Sequence, residues 1–402
     1  MGYRHLNRII KKFILVVFLY GLTSASFNGF FGIYVKELGY SESVVGTLLS
    51  LRQLSVGVTA FLITWIAARI GYKKTLIFGL FVVGLSSIAI VSYDNLLWMS
   101  VVSVFFGLGQ AAMLTVESPF IYDQTSSEER VHAFSLTFAT RNAAFMTGSL
   151  ATGYLTDLFT IKFGVGILPI RYALILVSLM SIIAIVPLSQ LKSKPMAEQK
   201  RLNLKEIKGF FTSFNVLFLA YTGIIGLGAG LIVPFFGVYL KYMLDTTEGI
   251  VGLILSFAQL GTVIGGLVVP MLDKRIGNYK TIIITQLLSI PLLVAIGLPQ
   301  GLVVVAIAFF LRSSLMNMGQ PLIRNISMHI VEDQHRPLMS AMRAMMNNIT
   351  RALGIYVGGA MMAKYGYNSP YTLTIVFYLI ATWLFYSLFK RQVVKKESTI
   401  GT

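Results

Sequence analysis

The stretch FFGIYVK at residues 30–36 returns as FFGVYLK at residues 235–241. The similarity extends on both sides of these copies. Val45 and Gly46 in SVVGTLLSLRQL match Val251 and Gly252 in GIVGLILSFAQL, and ARIGYKKT matches KRIGNYKT. In every case the second copy follows the first by about 206 residues. The chain therefore contains two copies of one unit that is about half its length.

The composition is that of a membrane protein. Of the 402 residues, 55% are hydrophobic and only 12% are charged, and the mean hydropathy is +0.75. A soluble chain has roughly a quarter of its residues charged. The sequence has no cysteine, which excludes a disulfide scaffold, a cysteine nucleophile and a cysteine zinc site.

The sequence predicts an all-α membrane protein with twelve spanning helices. Each predicted helix is an apolar stretch of at least about 20 residues, the length needed to cross the hydrocarbon core. The twelve stretches are 13–35, 43–68, 74–93, 96–122, 131–156, 170–190, 212–240, 247–271, 278–298, 300–322, 337–363 and 370–389.

The net charge of +17 is distributed unevenly among the loops. Basic residues concentrate in the N-terminus, in ARIGYKK, in the 191–209 connection, in DKRIGNYK and in the tail KRQVVKK. By the positive-inside rule both termini are cytoplasmic, in a multi-pass protein of the cell membrane. The charge then serves as an orientation signal with affinity for anionic membrane lipids, and nucleic acid is not an expected partner. The opposite loops contain only Lys36, Lys162, Arg171, Lys241 and Lys364.

The duplication divides the twelve crossings into two sets of six. We expect an N-terminal bundle at 1–190, a cytoplasmic linker at 191–211 and a C-terminal bundle at 212–402. An even number of crossings makes the two repeats parallel, related by an axis along the membrane normal and facing each other across a central cavity. Such a chain encloses its own pathway, so we expect a monomer.

The loop between crossings 2 and 3 resembles a motif of the major facilitator superfamily of secondary transporters. The family pattern is similar to G-x-L-x-D-R-x-G-R-R, and this chain reads TWIAARIGYKK at residues 64–74, with Arg69 and Gly71 at matching positions. Thr64 and Ala68 replace the Gly and Asp of the pattern. In the second half, Asp273 lies one place from the equivalent position. The resemblance implies the family fold and transport by alternating access.

A second resemblance lies at the cytoplasmic end of crossing 4. SPFIYDQTSSEER at residues 118–130 is similar to the P-x-Y-x-x-E…R segment of the family, which implies that Asp123 pairs with Arg69 or Arg130 to close the inner side. The alternative is that these are solvated interfacial charges. The G-x-x-x-G-P signature common among antiporters is absent, since crossing 5 reads GSLATGYL, and this disfavours drug efflux.

Polar residues inside the crossings are the candidate substrate-binding groups, because a charge at the bilayer centre costs ~2.5 to 3.5 kcal/mol and normally faces a cavity. An excess of guanidinium groups favours a carboxylate, phosphate or sulfate, so we expect a small organic anion or an anionic amphiphile as substrate. Alternatively, the arginines bond backbone carbonyls, pair with Glu117 or Asp123, or extend to an interface. The candidates are Arg52, Arg141, Arg312, Arg343, Asn347 and Arg351, of which Arg343, Asn347 and Arg351 lie on one helical stripe.

Glu117 is the clear acid inside the helices. A buried carboxylate can load and release a proton as access alternates, so Glu117 is a candidate for proton coupling. Its position near the inner end of crossing 4 fits a gate ion pair equally well. Both interpretations stay open from the sequence alone.

The sequence gives little support for an enzyme, a metal or a bound cofactor. The four histidines fall at cytoplasmic ends without metal-ligand spacing, and no phosphate-binding Gly-Lys-Ser/Thr loop is present. The leading hypothesis is a proton-coupled or exchange carrier for an organic anion, driven by an ion gradient or by the substrate's own gradient. The alternatives are a multidrug/H⁺ antiporter and a non-transporting membrane sensor or scaffold; the linker and tail are too short for a signalling domain.

Overall fold

A computed structural model describes residues 7–191, 209–298, 301–332 and 335–395, so most of the predicted linker lies outside the described residues. Every regular element in these ranges is helical. The first half contains α1 Arg8–Glu37, α2 Glu42–Ile70, α3 Tyr72–Ser92, α4 Leu96–Gln124, α5 Ser127–Phe163, α6 Ile167–Ile183 and α7 Ile185–Ser189. The second half contains α8 Ser213–Ile232, α9 Phe236–Tyr242, α10 Glu248–Ile276, α11 Asn278–Gly297, α12 Leu302–Met318, α13 Gln320–His329, α14 Arg336–Tyr365 and α15 Ser369–Lys395.

Three predicted crossings are interrupted helices. The sixth continues from α6 into α7 through Ala184, and the tenth consists of α12 and α13 on either side of Gly319. The seventh consists of α8 and α9, joined by the 3₁₀ turn Val233–Phe235. Pro234 lies in that turn, and its missing backbone N–H removes an intrahelical hydrogen bond there.

The all-α fold with twelve crossings is confirmed. Among the described residues, ten spans are both long enough and apolar enough to cross a membrane. The other two crossings are α5 and α14, with 37 and 30 residues, which are long enough but more polar. These two helices are repeat counterparts, and they contain Arg141 and the pair Arg343 and Arg351. The most polar crossing of each repeat therefore holds some of the candidate site residues.

The chain forms two compact units by backbone contacts. The first unit is Met1–Gln199 with Pro234–Ser256, and the second is Lys200–Val233 with Phe257–Thr402. The domain boundaries expected from the duplication stay a prediction. In the first unit, α9 approaches α1 so closely that a Cβ on Gly237 would overlap the backbone carbonyl of Gly29. Likewise, a Cβ on Gly252 would overlap the carbonyl of Ser149 in α5.

Aromatic side chains form much of the core of each unit. In the first unit Phe27 and Phe106 join α1 to α4, with ring centroids 5.2 Å apart. In the second unit the rings of Phe385 and Phe389 are 4.8 Å apart, and Phe218 from α8 packs edge-on against Phe389. All five side chains are at most 2% exposed within their units.

Glycines allow α8 and α14 to pack backbone against backbone in the second unit. Gly226 and Gly230 of α8 lie against Asn347 and Gly354 of α14, and a Cβ on Gly354 would be only 3.1 Å from the Cα of Gly230 and closer still to a backbone carbonyl. Small residues at helix interfaces permit such close approach in membranes. This contact positions the polar stripe of α14.

Gly354→Val is expected to lower the free energy of unfolding by about 1 to 3 kcal/mol, because overpacking against backbone atoms cannot be relieved by a side-chain rotation. Gly209→Val is the matched control, since a Cβ there would meet no atom within 4 Å. Melting temperatures of the two purified variants in detergent would measure the difference. Equal melting temperatures would contradict the close α8–α14 packing.

Candidate substrate site and gates

A polar ladder runs along α1 in the first unit. Tyr20, Ser24 and Asn28 are spaced four residues apart and therefore share one helix face. Tyr20 lies near Ser24, and the Asn28 amide donates to the Ser24 hydroxyl at 3.4 Å. Arg52 of α2 donates to the Asn28 side-chain oxygen at 2.7 Å. The ladder thus fixes the guanidinium of one predicted site residue.

Arg52 is a buried cation. Only 8% of its surface is exposed, and its guanidinium lies over the ring of Phe106 at 5.2 Å from the ring centroid. A cation over an aromatic face is stabilised by the ring quadrupole. The structure thus places Arg52 between an amide oxygen and an aromatic ring, in the interior of the first unit.

Glu117 of α4 and Arg141 of α5 form an ion pair that is also a hydrogen bond. The Glu117 side chain is 10% exposed and the Arg141 side chain 40% exposed. Tyr20 lies within electrostatic range of both. The structure therefore realises the interpretation in which Arg141 pairs with Glu117, and the exposed part of the guanidinium retains donors for a further ligand. The adjacent Asn142 donates to the carbonyl of Phe138 in its own helix.

Arg312, Arg351 and Tyr378 lie together in the second unit, and we name them the upper arginine group. Arg312 is 4% exposed, and its guanidinium lies 3.4 Å from the Tyr378 hydroxyl. Arg351 is half-buried and lies within electrostatic range of both. No hydrogen bond or ion pair joins Arg351 to another described residue. Two guanidinium groups therefore lie near each other around one phenol.

A second network, made of buried side-chain hydrogen bonds, joins three helices of the same unit. Gln286 of α11 donates to the Tyr221 hydroxyl at 2.6 Å, and Thr382 of α15 donates to the Gln286 side-chain oxygen at 3.0 Å. All three side chains are buried. The network joins α8, α11 and α15, so it holds the helices around the arginines in a fixed rotation.

Arg343 and Asn347 occupy the inner part of the α14 stripe. Arg343 donates to the Ser327 hydroxyl of α13 at 2.8 Å. Asn347 packs beside Gly226, where the side-chain nitrogen would lie 3.1 Å from a Cβ at that glycine. The stripe predicted from the sequence is therefore present, and each of its three members has different surroundings.

The predicted inner gate is only partly assembled. Gly71, at φ +85°, joins α2 to α3 in the backbone region that favours glycine. Arg69 stacks on Trp65 at 3.7 Å and Arg130 on Tyr122 at 3.5 Å, measured to the ring centroids. Across the described part of the chain, Asp123 forms no ion pair with either arginine, so the latch stays a prediction. Asp273 faces the side-chain amide of Asn278 across the equivalent loop of the second half.

Ion pairs at the opposite ends of the helices were not predicted from the sequence. Lys36 pairs with Glu42 at 2.6 Å, and Lys241 pairs with Glu248 at 3.0 Å. These are the same residue types at repeat-equivalent positions, so the duplication itself was the signal. Arg171 also pairs with Asp94 in the first unit.

Sequence reasoning also missed neutral side chains around the arginines: Ser327 and Tyr378, which contact Arg343 and Arg312, and Tyr20 and Ser24, which lie beside the Asn28 that binds Arg52. Tyr20 and Ser24 had a signal, their four-residue spacing with Asn28, whereas Ser327 and Tyr378 had none. Among the described residues, no three His, Asp or Glu side chains come together as metal ligands.

Three solved structures share the fold of this chain at 13 to 15% sequence identity. The nucleoside transporter NupG superposes with a TM-score of 0.77 at 15% identity, covering 96% of this chain and 100% of that one. A bacterial homologue of the human lysosomal transporter Spinster, in an inward-facing and occupied conformation, gives 0.78 at 13% identity, covering 95% and 96%. A POT family transporter in complex with 5-aminolevulinic acid gives 0.76 at 13%, covering 98% of each chain.

A comparison with curated protein sequences finds no match. A family model does match, and it matches twice, at residues 13–226 and at residues 217–402. The two matches together span nearly the whole chain, and each covers one copy of the duplication. The chain belongs to the Major Facilitator Superfamily.

Proposed function

We propose that this protein is a secondary active transporter that works by alternating access and moves a small organic anion, or an amphiphile with an anionic head, across the cell membrane. It acts as a monomer with both termini in the cytoplasm. The family and fold support a transporter rather than an enzyme. The structural neighbours do not choose the substrate, because at such low identity they share only the fold.

The imbalance of charge in the second unit carries the proposal. Arg312, Arg343 and Arg351 lie within its spanning helices. The carboxylates in the described parts of this unit are Asp273 and Glu332, and both lie at loop ends of the helices. Charges inside a bilayer normally pair with one another or face a water-filled cavity. Guanidinium groups without an interior carboxylate therefore support an anionic ligand, which the planar fork binds through two hydrogen bonds.

The Glu117–Arg141 pair in the first unit supports coupling to protons or to exchange. Arg141 is partly exposed while it is paired, so an incoming anion competes with Glu117 for the same guanidinium. When the anion wins, Glu117 loses its counter-ion and takes up a proton. When Arg141 returns to Glu117, the proton is released. If the protein is instead an obligatory exchanger, the competition between the anion and Glu117 for Arg141 is sufficient, and no proton needs to cross the membrane.

A multidrug/H⁺ antiporter is the second candidate, supported by the burial of Glu117, which is 8% exposed. An exporter of lipophilic cations would use this carboxylate to bind cation and proton alternately. The arginines of the second unit would then have no contact with the drug. The two candidates therefore differ in which variants lose ligand binding.

The test is ligand-dependent thermal stabilisation followed by uptake into liposomes. Purified protein would be melted with anionic, neutral and cationic metabolites and drugs, and the stabilising compounds assayed for uptake. Arg312→Gln and Arg351→Gln are each expected to weaken anion binding about tenfold to a hundredfold, since each removes charge-assisted hydrogen bonds. Arg8→Gln, an exposed arginine outside the site, is the control. Stabilisation by lipophilic cations, unchanged in the variants, would replace the anion carrier with the antiporter.

A further inference from the structure

Arg343 belongs to a second basic group, at the inner end of the second unit. Its guanidinium donates to Ser327, and Ser327 in turn donates to the backbone carbonyl of Arg324 at 2.6 Å. Ser327 is fully buried, whereas Arg324 is exposed. Ser327 thus holds Arg343 beside the helix turn that begins at Arg324. We name Arg324, Ser327 and Arg343 the inner arginine group.

The inner arginine group is electrostatically unbalanced. Arg324 and Arg343 lie within electrostatic range of each other, so two like charges are neighbours at a partly buried position. The Nε atom of Arg343 is buried and has no hydrogen-bond partner. A buried donor without a partner costs free energy comparable to a lost hydrogen bond. An oxyanion placed between the two guanidinium groups relieves the repulsion and accepts from unused donors.

The inner arginine group is separate from the upper arginine group. Arg343 and Arg351 are eight residues apart on α14, or about 12 Å along the helix axis. Arg343 is also directed toward α13 by Ser327, whereas Arg351 lies near Arg312 and Tyr378. A single carboxylate or phosphate cannot contact both groups at once. The second unit therefore has two separate places for an anionic group.

We propose that the inner arginine group is a second anion subsite, specific for a phosphate, sulfate or carboxylate group. The proposal rests on the proposed function, in which the upper arginine group binds the substrate. It adds a second binding site, at the inner arginine group, for the same class of anion. The ligand group comes either from a free anion on its way between the upper group and the inner end, or from the headgroup of an anionic lipid. In both cases Arg343 is the principal donor.

The absence of cysteine from the whole sequence allows a charge-rescue experiment. Sodium sulfate would be titrated at constant ionic strength, and its affinity read from the shift in melting temperature. Arg343→Cys is expected to weaken sulfate binding about tenfold, the effect of one lost charge-assisted hydrogen bond. Reaction of the new thiol with 2-aminoethyl methanethiosulfonate places an ammonium there and is expected to restore most of the affinity. The neutral methyl reagent is expected to restore none.

Control variants separate this proposal from the proposed function. Lys390→Cys, at an exposed lysine, is expected to keep wild-type sulfate binding before and after labelling. Arg351→Gln is expected to lose substrate uptake but to keep the Arg343-dependent sulfate response. If Arg351→Gln removes the whole sulfate response and Arg343→Cys removes none, the inner subsite is refuted while the anion carrier stands. If Arg343→Cys loses sulfate binding while no anion is taken up by wild type, the subsite stands alone.

Two nanodisc compositions distinguish the sources of the anionic group. Wild type and Arg343→Cys would be melted in pure phosphatidylcholine and in phosphatidylcholine with phosphatidylglycerol. Stabilisation by phosphatidylglycerol that is lost in Arg343→Cys and restored by the amine reagent identifies a lipid headgroup as occupant. Stabilisation by sulfate alone, with the same dependence on residue 343, identifies a free anion. Equal responses of wild type and Arg343→Cys to both probes would overturn the subsite.

Discussion

At a pH high enough to keep Glu117 ionised, Arg141→Gln is expected to lower the free energy of unfolding by about 3 to 5 kcal/mol, because removal of one partner of a buried ion pair leaves the other charge uncompensated. The Glu117 side chain is only 10% exposed. Glu117→Gln is expected to cost far less, about 1 kcal/mol, since the Arg141 side chain is 40% exposed and keeps its hydration. Titration with SDS in mixed micelles measures both values.

The double variant Glu117→Gln/Arg141→Gln is the matched control for this prediction. It removes both charges and keeps two amides that can hydrogen-bond each other, so it is expected to recover most of the stability that Arg141→Gln loses. Under the proposed function, uptake is expected to be lost in the double variant, because the competition for Arg141 has been removed. Equal stabilities of the two single variants would show that the exposures of the pair do not control its energetics.

Gly237→Val is expected to abolish transport by preventing the close packing of α9 on α1. The new Cβ would overlap the backbone carbonyl of Gly29, which has no rotamer that moves it away. If the overlap destabilises this packed arrangement by about 3 kcal/mol, its population falls about a hundredfold relative to a separated one. If the proposed alternating-access cycle passes through the packed arrangement, the transport rate is expected to fall by a similar factor.

A thiol probe tests the same prediction without a substrate. Ser149→Cys places the only cysteine of the chain at a residue that is 5% exposed and packs against Gly252. In the Gly237→Val background its reaction with a membrane-impermeant maleimide should accelerate up to about a hundredfold, in proportion to the separated population. Gly209→Val combined with Ser149→Cys, without Gly237→Val, is the control and is expected to leave the reaction rate unchanged. An unchanged rate in Gly237→Val would contradict the prediction.

The twelve crossings were predictable because length and apolarity decide whether a segment spans a membrane. The predicted stretch 43–68 became Glu42–Ile70, and 96–122 became Leu96–Gln124. The predicted stretches did not mark the interruptions inside crossings, although prolines signal them. Pro234 lies at the break between α8 and α9, and Pro187, just after the break between α6 and α7, has no N–H to donate to the carbonyl of Ile183.

The site was predictable by residue type but not by partner. Interior arginines stand out in an apolar sequence, and the stripe Arg343, Asn347 and Arg351 follows from helical periodicity alone. Which of several polar side chains meets a given guanidinium depends on how each helix is rotated about its axis. That rotation is fixed by packing across the whole bundle, so Tyr378 beside Arg312 could not be read from local sequence.

The duplicated ion pairs, Lys36 with Glu42 and Lys241 with Glu248, show where the two copies of the unit are still alike. Both copies of the ancestral unit have retained them, but the interior has diverged: the counterparts of Glu117 and Arg141 are Ile323 and Asn347. The two copies are therefore alike in the charged side chains at this end of their helices and unlike in the charged side chains of their interior. Each copy thus has its own interior chemistry, although both were built from one repeated unit.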